Sequence, residues 1–303
     1  MRKYIVLVFS FILIISIYTF NRPNQLSITF CDVGQGDATL LSVGSIQMLI
    51  DTGQNEKVFT CLENNMPFWD KKIEYLILTH MDSDHIGGAA QVVDAFNIDF
   101  LFINPSNKKT SDFRLLETAV LRKSDTQMRL ISTFVGQNIR VTDGLKATLI
   151  GPDYDFSQVE SIKMPFSESI LSDTIANSRQ IIYEENIENN LSIALKVQFK
   201  DVVIILPGDL EKKGELAMMA SGLLNNSTVL KAGHHGSKSS SIPGFVGMLQ
   251  PEITIVSSGE NNAYNHPNPQ VIDMFSRMGV RIYQTKLSGE LNFVSDGNQI
   301  WEI

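Results

Sequence analysis

All five histidines of this chain fall in short polar segments, and those segments follow apolar runs. His80 and His85 lie in Thr79-His80-Met81-Asp82-Ser83-Asp84-His85-Ile86-Gly87-Gly88. His234 and His235 lie in Lys231-Ala232-Gly233-His234-His235-Gly236-Ser237, and His266 lies in Asn265-His266-Pro267. Histidine used for generic packing would scatter over helices and strands. Here it is kept where metal ligands and proton carriers are needed, which constrains the fold to one that brings distant loops together.

The apolar runs read as strands. Alternation or apolar character marks Leu26 to Cys31, Thr39 to Val43, Ile46 to Ile50, Glu74 to Leu78 and Asp99 to Ile103. One helix is expected from Asp84 to about Phe96 and another over Asp112 to Ser124. Strands are expected near Met128 to Phe134, Ala147 to Ile150, Ser192 to Phe199, Val202 to Leu206, Val229 to Lys231 and Ile253 to Ser257. A helix over Val271 to Met278 and strands at Arg281 to Tyr283 and Glu290 to Val294 complete the pattern. Residues 153–190 are polar and read as an insertion or lid. A strand followed by a polar motif at its C-terminal end is how an α/β scaffold places a site on one edge of its sheets.

The chain has 303 residues, 43% of them hydrophobic, and a net charge of −8. That suffices for a sizeable core and argues against nonspecific, high-affinity nucleic-acid binding. A nucleic-acid substrate held through bound cations remains compatible with it. Residues 1–25 contain Arg2-Lys3 and an apolar run from Tyr4 to Phe20, with no small-x-small cleavage site after it. We expect a single-pass membrane anchor or a signal segment there, with residues 26–303 forming one domain outside the cytoplasmic membrane. Cys31 and Cys61 can form one bridge in an oxidising compartment or stay as two buried thiols.

His80-x-Asp82-x-Asp84-His85 gathers four potential ligands, and imidazole with carboxylate suits zinc, manganese or iron. An extended segment would send His80, Asp82 and Asp84 to one side, with His85 approaching from the start of a helix. The run resembles the His-x-His-x-Asp-His signature of the metallo-β-lactamase fold, with aspartate at the second histidine. Asp51-Thr52-Gly53, Gly208-Asp209 and Gly233-His234 follow in the family's order. The resemblance is closest to the metallo-β-lactamase-like domain of ComEC-type DNA-uptake proteins. It is carried by Asp32-Val33-Gly34-Gln35-Gly36-Asp37-Ala38, the His80 to His85 run, Asn189-x-x-Ser192, Gly208-Asp209, Leu230-Lys231-x-Gly233-His234-His235-Gly236-Ser237 and Tyr264-x-His266-Pro267.

This resemblance implies an αββα sandwich with one or two divalent ions, zinc or manganese. It implies that His80 and Asp82 bind one metal, that Asp84, His85 and His234 bind the other, and that Asp209 bridges them. Asp51 would support the metal loop. Asp84, Lys231 and His266 are expected to act in the chemistry, and Asp37, Asn189, Ser192, His235 and Ser237 to face substrate. Taken locally, the Asp32 to Ala38 segment is equally a tight turn, Ser237 part of a solvated serine-rich loop, and His266 a structural histidine before proline. The sequence departs from the wider family in having no histidine between residues 86 and 233, where the third motif should supply a ligand. The multi-helix channel of ComEC-type proteins is also missing. The implied function is a metal-dependent phosphodiesterase acting on nucleic acid or another phosphate ester, with a metal-activated water as nucleophile. The alternatives are hydrolysis of another ester, a lactone or a thioester, or a non-catalytic metal-binding module in a membrane-attached complex.

Overall fold

The computed structural model describes residues 24–104, 106, 108, 110–123, 127–152 and 188–303. Among the described residues, fifteen strands form two sheets: β1 (Leu26–Phe30), β2 (Thr39–Val43), β3 (Ile46–Ile50), β4 (Lys72–Leu78), β5 (Asn97–Ile103), β6 (Arg129–Ser132), β7 (Asn138–Arg140), β8 (Leu145–Gly151), β9 (Ala194–Phe199), β10 (Val202–Leu206), β11 (Val229–Lys231), β12 (Ile253–Val256), β13 (Arg281–Gln284), β14 (Leu291–Ser295) and β15 (Ile300–Glu302). The first has eight strands in the order β15-β14-β1-β2-β3-β4-β5-β6, and the second has seven in the order β13-β12-β11-β10-β9-β8-β7.

The strands that set the architecture read in both directions. On β10, Val202–Leu206, residues Val202, Ile204 and Leu206 pack into the space between the sheets. Val203 and Ile205 of the same strand face the helices Lys212–Ala220, Pro243–Leu249 and Pro269–Arg277. Strand β3, Ile46–Ile50, behaves likewise. Met48 and Ile50 point between the sheets, while Leu49 points toward the helices Lys57–Asn65, Ala89–Ala95 and Ser111–Arg122. A strand apolar on both faces must be covered on both, so helices flank each sheet and the expected αββα sandwich results. Each fully buried Leu or Ile contributes roughly 1.5–3 kcal/mol, and the core holds dozens of buried apolar side chains.

Parallel pairing aims the site loops at one edge. β3, β4 (Lys72–Leu78) and β5 (Asn97–Ile103) are parallel, as are β10, β11 (Val229–Lys231), β12 (Ile253–Val256) and β13 (Arg281–Gln284). Asp51, His80, Asp209 and His235 all follow C-terminal ends of such strands.

Several expectations are corrected. The helix expected from Asp84 to Phe96 is two pieces, Ser83–Ile86 and Ala89–Ala95. Gly87 and Gly88 lie between them; a Cβ would stand 2.1 Å from the Gln54 carbonyl oxygen at the first and 2.8 Å from those of Asn55 and Thr52 at the second, so both positions need glycine. The helices Lys57–Asn65, Lys212–Ala220 and Pro243–Leu249 and the short strands β7 (Asn138–Arg140) and β15 (Ile300–Glu302) join the expected elements. Most of the expected insertion, residues 153–187, lies outside the described residues. Its last part, 188–190, is packed into the site wall, with Asn190 Oδ1 accepting from the amides of Glu211 and Gly214. The expected anchor at residues 4–20 also lies outside the described residues. Among the described residues, no helix is long and apolar enough to cross a membrane. Cys31 and Cys61 form a disulfide, which settles the two cysteine readings in favour of the bridge.

Candidate metal centre

The loops after β1, β4 and β11 converge on Asp209, which itself follows β10. Its Oδ2 lies 3.4 Å from His85 Nε2, 3.3 Å from His235 Nε2 and 3.7 Å from His234 Nε2. Asp84 Oδ2 is 3.2 Å from the same His235 nitrogen. One ligand atom each from Asp37, His85, Asp209 and His235 falls within 4.8 Å of all the others, and all four residues are buried.

The far side of each ring is fixed. His85 Nδ1 contacts Asp51 Oδ2 at 2.7 Å, and Asp51 in turn accepts from the amide and hydroxyl of Thr79 at 2.8 Å each. His235 Nδ1 donates to the Ser257 carbonyl at 3.0 Å. With both Nδ1 atoms engaged this way, each Nε2 is turned into the cluster. Those Nε2 atoms, that of His80 and Asp209 Oδ1 are buried without a hydrogen-bond partner. Imidazole nitrogens and carboxylate oxygens that converge while buried, without hydrogen bonds among them, are a donor set that fits a divalent metal once the rings give up their protons.

The glycines of the Asp32 to Ala38 loop are needed for close approach. Gly36 has φ +121°, and a Cβ there would lie 2.0 Å from the Asp84 carbonyl oxygen. The loop therefore lies flat on the metal motif, with the Asp37 amide donating to that same carbonyl at 3.1 Å. Asp37 turns its carboxylate to the Lys231 ammonium. Burial raises the Asp37 pKa, but Lys231 and His235 outweigh it and hold the group down to about 2. Burial likewise opposes ionisation of Asp84 and Asp209, yet the histidines beside them hold both well below the usual carboxylate range.

The expected site residues are thus partly gathered and partly rearranged. His235, expected to face substrate, has its Nε2 in the buried cluster, with its side chain 1% exposed. His234, expected in that place, is 23% exposed and stands at the rim. Lys231, expected to face a phosphate, is 3% exposed and lies beneath the cluster, 3.8 Å from Asp209 Oδ1. His80 Nε2 is 3.7 Å from Asp82 Oδ2, and Lys108 pairs with the other Asp82 oxygen at 2.5 Å. Ser192 bridges the two halves, its Oγ accepting from the Asp209 amide at 3.1 Å and lying 3.3 Å from His80 Nδ1. Asn189 Nδ2 sits 3.5 Å from His234 Nδ1. Ser237 faces its own loop, 2.9 Å from Ser239 Oγ. His266 stacks beneath the exposed Tyr264, with ring centroids 5.8 Å apart, and its own centroid is 5.4 Å from that of His234. Burial, then His234 and His235, lower the His266 pKa to about 4.

Sequence reasoning passed over Lys108, Glu188, Glu211 and Glu215. Glu215 holds the His234–His235 loop by accepting from the amides of Ser241 and Ile242 at 2.5 and 2.8 Å. No local signal distinguishes such a glutamate from a solvated helical one.

Residues 31–260 match the family model described as the metallo-beta-lactamase superfamily. The chain belongs to the metallo-β-lactamase superfamily. Among curated relatives of this metallo-β-lactamase-fold chain, ComE operon protein 3 of Bacillus subtilis is 28% identical over 86% of the chain. Recombination protein 2 of Haemophilus influenzae is 27% identical over 96%, and competence protein ComA of Neisseria gonorrhoeae 26% over 89%. The alignment takes in only 32% of each relative, so the chain spans about a third of their length. Among solved structures, a CmlA β-hydroxylase variant superposes with a TM-score of 0.52 at 9% identity, covering 88% of this chain and 53% of that one. The metallo-β-lactamase-fold protein YhfI of Bacillus subtilis gives 0.50 at 10% identity, covering 92% and 100%. At such identities these two speak for the fold alone. The branch that the motifs resemble is the one in which the competence relatives fall.

Proposed function

We propose that this protein is a metal-dependent phosphodiesterase acting on nucleic acid at the outer face of the cytoplasmic membrane. The observation that carries the reading is the convergence of two buried, unpaired Nε2 atoms, His85 and His235, on Asp209 and Asp84. His85, His235, Asp84 and Asp209 would hold one divalent cation, and His80 and Asp82 belong to a second position beside it. Imidazole with carboxylate suits zinc or manganese. A bound cation supplies Lewis acidity, neutralises phosphoryl oxygens and lowers the pKa of a coordinated water.

The protein's own groups divide the remaining work. Lys231 sits under Asp37 and Asp209 and helps keep Asp37 ionised, so it conditions the site and does not touch substrate. His266, at the mouth, is neutral near pH 7 in the free protein. An anionic phosphodiester beside it would raise its pKa, so that it gains a proton on substrate binding and can pass it to the leaving oxygen. Nucleic acid as substrate is supported by the competence and recombination names of the relatives. An oxidising location is supported by the Cys31–Cys61 bridge and by Arg2-Lys3 ahead of the apolar run.

The test is hydrolysis of single- and double-stranded DNA and of a nitrophenyl phosphodiester by protein loaded with Mn²⁺ or Zn²⁺. Cleavage should occur and should vanish in Asp84→Ala and His85→Ala, both still folded. Cleavage of lactones or thioesters alone would place the chain in another substrate class.

A further inference from the structure

Tyr264 stands at the mouth of the cluster, and the chemistry described above gives it no task. We propose that its ring is a stacking platform for an unpaired nucleobase, which directs the site to single-stranded nucleic acid. The inference rests on the phosphodiesterase reading given above and deepens it by naming the strand state of the substrate.

Three observations carry it. The first is the open ring. Tyr264 is 66% exposed. Its ring lies at 16° to that of His266, with centroids 5.8 Å apart, so it already takes part in one stack and leaves most of its surface to solvent. Every base has a π-face that such a ring can accept, whatever the sequence.

The second is the frame that holds the ring in place. Asn262 brackets the loop: its Oδ1 accepts from the His266 amide at 2.8 Å, and its Nδ2 donates to the carbonyls of His266 at 2.7 Å and Gly259 at 2.8 Å. The Gly259 amide in turn donates to Gln35 Oε1 at 3.3 Å, which ties the loop to the Asp32 to Ala38 segment. Asn265, between the two rings, takes the left-handed conformation at φ 57°. An aromatic ring fixed before its ligand arrives loses little freedom on stacking.

The third is place and charge. The His266 centroid is 5.4 Å from that of His234 and 6.4 Å from that of His235, so Tyr264 stands one ring beyond the histidines of the cluster. A phosphate seated at the cluster would bring its own base or the next one to Tyr264. The chain carries a net charge of −8, so long-range attraction of phosphates contributes little to holding a nucleic acid. Stacking supplies affinity that does not depend on charge. In a duplex the bases are stacked on one another, and only an unpaired base can turn its face to a side chain.

The experiment compares two substrates of equal length and charge. Metal-loaded full-length chain is given a single-stranded DNA oligonucleotide and an oligomer of abasic deoxyribose phosphates, and kcat and KM are measured on each. Tyr264→Ala should raise KM on the DNA roughly 5- to 150-fold, the scale of one base–aromatic stack, and leave KM on the abasic oligomer unchanged. Tyr264→Trp should keep the wild-type KM on both, because the ring and not the hydroxyl binds. Wild type should also favour single-stranded DNA over the matching duplex. Metal content and Tm verify an intact centre in each variant. An equal loss on both oligomers would make Tyr264 a prop of the His266 loop and overturn the proposal, as would an unchanged KM on DNA or equal use of the duplex. Wild type that cleaves no phosphodiester would instead sink the reading beneath it.

Discussion

Lys231 and Asp37 form an ion pair in which both side chains are withdrawn from solvent, at 3% and 6% exposure. Lys231 lies at the end of β11 and Asp37 in the loop between β1 (Leu26–Phe30) and β2 (Thr39–Val43), so the pair ties one sheet to the other. Removing one partner of a buried pair typically costs about 3–5 kcal/mol, because the other charge stays behind. Lys231→Met should therefore destabilise the metal-free protein by that order in urea unfolding. Adding Asp37→Asn should recover part of the loss. Strictly additive losses would show that the pair is not coupled.

Metal uptake should release protons. Burial works against protonation of His85 and His235, but Asp209 with Asp51 on one and Asp209 with Asp37 on the other raise both pKa values well above the usual imidazole range. A metal needs these rings neutral. Calorimetric titration with Zn²⁺ at pH 7 in buffers of different ionisation enthalpy should show proton release, and affinity should fall as pH is lowered. The same shifts give the metal-free protein a stability term present in full below the unfolded histidine value of about 6.5. That term is lost as pH rises through the raised folded values. The metal-free Tm should thus fall with increasing alkalinity above neutrality, and a rising Tm would contradict the assignment.

The Cys31–Cys61 bridge spans 30 residues and begins one residue before the Asp32 to Ala38 loop. Chain-entropy reasoning puts its contribution at about 3–4 kcal/mol. Reduction, or Cys61→Ser, should lower Tm and weaken metal binding together, because Asp37 loses its anchored loop. An unchanged Tm under reductant would mean the bridge is dispensable.

His266→Ala should leave metal content intact and slow turnover by roughly 10²- to 10⁴-fold, the usual scale of acid–base catalysis. The loss should shrink for a nitrophenyl phosphodiester, whose leaving group needs little protonation. Equal losses on activated and unactivated substrates would remove His266 as the acid.

The sheet scaffold and the order of its motifs were legible in the chain because apolar runs and punctuating loops are local signals. Val202 to Leu206 reads as a buried strand and is one. Which of two adjacent histidines enters the site was not legible. Strand alternation does not apply in a left-handed turn, and φ at His234 and His235 is imposed by packing. Lys231 misled for a related reason. Lysine is rarely buried without a partner, and its partner Asp37 is remote in sequence and close only after folding. The close approach of the Gln54 and Asn55 carbonyls to Gly87 and Gly88 is likewise tertiary, and no local pattern announces it.

Strand β1, which leads into the Asp37 loop, pairs with β14 (Leu291–Ser295) through Leu26 opposite Ser295 and Phe30 opposite Leu291. The first and last parts of the domain are thus neighbours in one sheet. Pairing over such a distance along the chain is slow to form, and one edge of β1 stays open until residues 291–295 have been synthesised. A prematurely terminated product would carry the His80 to His85 segment but lack the last strands against which β1 closes. Placement of Asp37 beside the His80 to His85 segment would then depend on a strand far along the chain, and fragments that stop before β14 would not assemble the cluster.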